Sequence, residues 1–141
     1  MTAPAATLHA ALDLPSAARS VPAARRLVAH LLVAWAAEPF CDDATLLVSE
    51  LVTNVVRHVT GQVALRVEVA LSEPGLRVAV IDSSPELPVP KLRGPQGGHG
   101  IRLVSALADR WGSERYDGGK RVWFELEPRP VAEPRDHLLG R

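Results

Sequence analysis

The sequence predicts an α+β fold, a two-layer sandwich in which three main helices cover one face of a mixed, mostly antiparallel sheet of about five strands. Two pairs of short runs with a period of two lead there. Residues 63–71 and 76–82 alternate around Glu73-Pro74-Gly75, and residues 110–116 and 121–126 flank Asp117-Gly118-Gly119; each pair reads as a hairpin. Three segments with apolar residues at helical spacing lie before and between them. Strands polar on one side, combined with amphipathic helices, fit two layers better than a doubly wound sheet.

Taken in order, residues 7–12 alternate weakly through Leu8, Ala10 and Leu12 and suit an edge strand. From Pro22 to Ala37 a first helix is expected, with proline in its first turn and Leu27, Leu31, Ala34 and Trp35 recurring at helical spacing. Glu38-Pro39 ends it, and Asp42 or Asp43 caps a second helix reaching His58. Gly61 switches the period to two: Val63, Leu65, Val67, Val69 and Leu71 point one way, Arg66 and Glu68 the other. Leu76, Val78 and Val80 continue the pattern and put Asp82 on the buried face, unless the strand ends at Ile81 and Asp82 opens a turn. Residues 83–96 contain four prolines and no period, a long loop of the kind that serves as a lid or binding loop. Gly97-Gly98-His99-Gly100 leads into a third helix from Ile101, and Val122, Phe124 and Leu126 of the last strand face inward. Residues 1–127 are read as one domain and residues 128–141 as a proline-rich tail.

A chain of 141 residues buries about two-thirds of its unfolded surface in one core. Equal numbers of acidic and basic residues, 16 of each, give no electrostatic pull toward nucleic acid or an anionic membrane. No apolar run approaches the roughly 18 residues of a membrane span. Cys41, the only cysteine, cannot form an internal disulfide and fits a reducing, cytoplasmic setting. No spacing of zinc ligands occurs, and Ser49 lacks the glycines of a nucleophile elbow.

Three features carry chemistry. Glu50 and Asn54 lie four apart in a helix that is otherwise largely Leu and Val, so with Thr53 and Arg57 they form a narrow polar stripe. A carboxylate and a carboxamide on one face offer oxygen to a hard cation and a base to a hydroxyl, although a solvated stripe has the same spacing. Asp82, if buried at a strand end, needs a partner, and the exocyclic amine of adenine is one. The glycines before Ile101 admit close backbone approach at a helix start, where unpaired N–H groups suit phosphate. Neither a dinucleotide fingerprint nor a P-loop is present.

In that order the features resemble the histidine-kinase-type ATPase superfamily, the Bergerat ATP-binding fold shared with gyrase. The nearest likeness is to the small anti-sigma-factor serine/threonine kinases and ATP-binding regulators of actinomycetes. The resemblance runs from about Leu8 to Leu126 and rests on Ser49-Glu-Leu-Val-Thr-Asn54 with Val55-Val-Arg-His58, on Val80-Ile-Asp-Ser-Ser-Pro85, and on Gly98-His-Gly-Ile-Arg-Leu-Val104 with Asp109-Arg-Trp-Gly112. It implies ATP and Mg2+ as ligands. Asn54 would hold the metal, Glu50 would act as general base, Asp82 would bind the adenine amine, and the Gly98–Ile101 stretch, with His99 and Gly100, would meet the phosphates. Arg57 and His58 would reach the nucleotide or a partner. The sequence departs from the family at Ser83-Ser84-Pro85, which replaces the usual glycines, and at His99, where relatives carry a basic residue. It departs again at Arg121, in place of a threonine; an inward arginine there would pair with Asp82 and compete with nucleotide.

Two function classes stay open. One is a cytoplasmic kinase that binds a sigma factor and phosphorylates an anti-anti-sigma (STAS-domain) partner. The other is an interaction module, nucleotide-gated or nucleotide-independent, without catalysis. A detached ATPase domain serving a sensor kinase ranks below both. Homodimerisation through the first strand and helix is implied by the resemblance.

Overall fold

The computed structural model describes residues 7–58, 64–83 and 98–129. Five strands form one sheet, β1 (Leu8–Pro15), β2 (Ala64–Leu71), β3 (Leu76–Asp82), β4 (Arg110–Tyr116) and β5 (Gly119–Leu126), in the order β1-β2-β3-β5-β4. Every pairing is antiparallel, so the expected mixed sheet is antiparallel throughout the described residues. Three helices, α1 (Ser20–Ala34), α2 (Cys41–His58) and α3 (Gly98–Leu107), complete the two layers, and a 3-10 turn at Glu38–Phe40 runs directly into α2.

The alternation read from the sequence produces the core. Leu65, Val67 and Val69 of β2, Leu76, Val78 and Val80 of β3, and Val122, Phe124 and Leu126 of β5 are all buried on the face toward the helices. From the other layer α2 contributes Ala44, Leu47, Val48, Leu51, Val52 and Val55. It packs against α1, α3 and β3 and is the central element of its layer. Each large apolar side chain buried in this way contributes about 1.5–3 kcal/mol.

The first helix is displaced from its expected position. It begins at Ser20, two residues before Pro22, and ends at Ala34; its fully buried line is Ser20, Ala24, Val28 and Leu32. Leu27, Leu31 and Trp35 only flank the core, and Ala34 is exposed. Ser20 and Ala24 are small enough to be enclosed fully, while the helix's apolar arc is too wide for spacing alone to locate the centre. Asp42 and Asp43 sit inside the first turn of α2 rather than before it, where their charge complements the helix dipole. The weak first strand extends to Pro15 and pairs with β2 along its whole length, while Leu8 and Leu12 stay exposed on this edge.

The open face of the sheet carries charge instead of helices. Arg66 pairs with Asp13 at 3.1 Å, and Glu125 receives Arg77 at 2.8 Å and Arg110 at 2.6 Å. Trp123 lies flat among them: Arg77 stacks 4.2 Å from its ring centroid, and a side chain at Gly112 would collide with the indole. Burial raises the Glu125 carboxyl, but the hydrogen bonds from Arg110 and Arg77 outweigh it and hold the group below its ordinary 4.5. Glu125→Gln is expected to cost several tenths of a kcal/mol at pH 7, screened because the pairs face solvent. A depressed carboxyl stabilises the fold above its unfolded value, so the difference between wild type and variant should shrink as pH falls below 4.5; urea unfolding at pH 7 and pH 3.5 measures it.

The end of α1 stores strain. Ala37 N–H donates to the Leu32 carbonyl at 2.7 Å and Ala36 N–H to the Val33 carbonyl at 3.1 Å, a Schellman closure whose left-handed position is Ala36, with φ of 56°. Glycine is the usual residue there, since a side chain costs about 1–2 kcal/mol in that conformation. Ala36→Gly should therefore raise the denaturation midpoint, with a gain of about 1 kcal/mol after the added chain entropy of glycine.

Candidate functional site

The C-terminal end of β3 is the one place in the described core where charge is buried. Asp82 follows Leu76, Val78 and Val80 in period two, so its side chain enters the helix side of the sheet and is 3% exposed. The alternative, a strand ending at Ile81, is excluded because Asp82 pairs in register with Leu65 on one side and Lys120 on the other.

Lys120 is the residue that sequence reasoning overlooked. Its ammonium lies 3.6 Å from Asp82 Oδ2, with side-chain exposures of 9% and 1%. The separation exceeds the 2.7–2.9 Å of a charge-assisted hydrogen bond, so the two groups neutralise one another through space. The expectation that Arg121 turns inward to Asp82 is overturned. Arg121 donates from Nε to Glu114 at 2.7 Å and stacks 4.1 Å from the Tyr116 ring centroid, on the open face. The reason is parity: Val122, Phe124 and Leu126 face inward, which places residue 120 inward and residue 121 outward.

The backbone holds the pair together. The turn between β4 and β5 is Asp117-Gly118, both with positive φ (52° and 79°), as a two-residue hairpin requires. It delivers Gly119 against the end of β3, where an added Cβ would stand 1.9 Å from the Asp82 carbonyl oxygen and 2.7 Å from Ser83 Cα. No residue with a side chain fits without separating the strands.

The helix packed against β3 is α2. Glu50, Thr53 and Asn54 are half-buried and Arg57 is exposed, forming the predicted stripe along a helix whose other positions are mostly core. Ser49 is buried and donates to the Thr45 carbonyl at 2.8 Å, so it is a packed helix residue. Cys41 packs at the edge of the core and His30 is exposed. Beyond α2 stands α3. It begins at Gly98, so Gly98, His99, Gly100 and Ile101 form its first turn instead of preceding it. Its helix start can present backbone N–H groups to an anion. The side chains of His58 and of residues 98–101, and the loop expected over 84–96, lie outside the described residues, as do residues 130–141 of the expected tail.

Among the described residues no group of three or more His, Cys, Asp or Glu side chains converges as a metal cage. A cation here would take Asn54 as a protein ligand and most of its oxygens from a phosphate ligand, which is how Mg2+ is commonly held. The chemistry of the corner is compatible with a nucleobase edge in one respect: a carboxylate buried at a strand end has an ammonium beside it. Gly119→Ala is expected to destabilise the fold by about 2 kcal/mol or more, since the colliding atoms are backbone and cannot turn away. A thermal melt checks it, and substitution at the exposed Gly118, where no atom lies within 4 Å, is the control for turn strain alone.

No described helix is long and apolar enough to cross a membrane. No curated protein matches the chain. A family profile described as the histidine kinase-like ATPase domain matches residues 14–126, from the last two residues of β1 to the end of β5. That span takes in strands β2 to β5, all three helices and every candidate residue above, and the chain belongs to the histidine kinase-like ATPase family.

Proposed function

We propose that the protein binds Mg·ATP and acts as a regulator of the anti-sigma-factor kinase type, transferring the γ-phosphoryl group to a serine on a STAS-domain partner and binding a sigma factor in the cytoplasm. The observation that carries the nucleotide half is Asp82, a carboxylate buried at the end of a central strand with α2 packed against that strand. The kinase half rests on the polar stripe of α2, where Glu50 and Asn54 share one face.

In this reading Asp82 accepts a hydrogen bond from the exocyclic amine of adenine and fixes the base. The amides of Gly98, His99, Gly100 and Ile101 at the start of α3 donate to phosphate oxygens, and Arg57 and His58 at the end of α2 flank the nucleotide or the partner. Asn54 would hold Mg2+, which would neutralise charge on the phosphates. Glu50 orients the serine hydroxyl and takes its proton as the oxygen attacks; a new O–P bond forms at the γ-phosphorus, the bond to the bridging oxygen breaks, and ADP carries away that electron pair. Such transfer depends mainly on positioning and charge neutralisation, for which few side chains are needed. A homodimer formed through β1 and α1 accompanies this proposal.

The ground that the non-catalytic alternative drew from an inward arginine passes to Lys120, which faces Asp82 in the place foreseen for Arg121, while Arg121 itself lies on the open face. Two variants separate the readings. Asn54→Ala should weaken Mg·ATP binding at least tenfold by calorimetry, consistent with loss of a metal ligand. Glu50→Ala should leave nucleotide affinity within about twofold and reduce phosphorylation of a STAS protein by about 10²–10⁴, the usual weight of a general base. Tight ATP binding with no transfer to any STAS protein by the wild type would reject the kinase and leave a nucleotide-gated interaction module.

A further inference from the structure

We infer that Lys120 is a second base-reading residue, which donates a hydrogen bond to the ring nitrogen next to the amine that Asp82 accepts. The inference rests on the nucleotide reading above and deepens it. Its ground is the pairing itself: Asp82 and Lys120 are register partners on β3 and β5, both side chains point to the helix side, and their charged atoms lie 3.6 Å apart. Gly119, wedged against the Asp82 carbonyl, keeps β5 from sliding relative to β3, so the ammonium stays beside the carboxylate.

Two charges so close and so buried act on any heterocycle as one unit. A base edge that reaches the carboxylate necessarily meets the ammonium, and an edge without an acceptor there would leave a buried cation poorly solvated. The edge must therefore present a donor next to an acceptor. Adenine does so with its 6-amino group and N1. With the amine on Asp82, N1 falls to Lys120, and the base meets both side chains without separating the pair. A 6-oxo purine presents the opposite order at the same two positions, O6 as acceptor and N1–H as donor, so it would meet Lys120 and Asp82 only if the base were turned over against the fixed corner.

The test is calorimetric titration with Mg·ATP, Mg·1-deaza-ATP (in which N1 becomes C–H) and Mg·GTP, on wild type and on Lys120→Met. Wild type should bind the 1-deaza analogue about 10–100-fold more weakly than ATP, the span expected for a hydrogen bond to a charged donor, and GTP more weakly still. In Lys120→Met, ATP and its 1-deaza analogue should bind equally. The inference is overturned if wild type does not distinguish the two, if Lys120→Met preserves the difference, or if GTP binds as tightly as ATP. The wild-type comparison stands even should the variant fold poorly. Failure of wild type to bind any of the three nucleotides would instead overturn the nucleotide reading on which this one depends.

Discussion

The burial of α2 against the inner face of the sheet organises everything else in this molecule. Nine Leu, Val and Phe side chains from β2, β3 and β5 meet six apolar residues of that helix, and neither surface is stable in water without the other. Because the helix must turn this arc to the sheet, its remaining stripe has only one direction left, and Glu50, Thr53 and Asn54 end up half-buried along the layer boundary. The site is thus a by-product of the packing geometry. The same contact that stabilises the fold aims the polar residues.

The two faces of the sheet solve different problems. On the inner face a single ion pair is tolerated because each charge has the other, at the cost of desolvation that packing elsewhere offsets. On the open face, arginines and glutamates lattice across strands around Trp123, which shields Ala79, its register partner on β3, from solvent. These exposed pairs contribute little each, but they keep a broad sheet face from presenting an apolar patch.

Much of this could be read in the sequence where the period was strict. Asp82 continues the alternation of Leu76, Val78 and Val80, and that sufficed to bury it. The same rule applied to β5 puts Lys120 inward, yet attention to the unusual Arg121 obscured a parity that Val122 and Phe124 already fixed. The position of α1 was not legible, since Leu27, Leu31 and Trp35 are as apolar as Val28 and Leu32, and the structure buries the line through Ser20 and Ala24 instead. The start of α3 was hidden for another reason. Glycines have poor helix propensity, and Gly98 and Gly100 enter the helix only because tertiary structure overrides it. The packing of α2 on β3 and of α3 on α2 and β4 depends on contacts far apart in sequence, which no local pattern carries.

The strand order has a consequence for how motion is distributed. β3 is hydrogen-bonded on both sides along its length, between β2 and β5, and its inner face is sealed by the helix layer. Its amides can exchange with solvent only when most of the molecule opens, whereas β1 and β4 each lean on a single neighbour and can fray separately. Asp82 therefore belongs to the last cooperative unit to come apart. Whatever rearranges around the site does so against one wall that does not move.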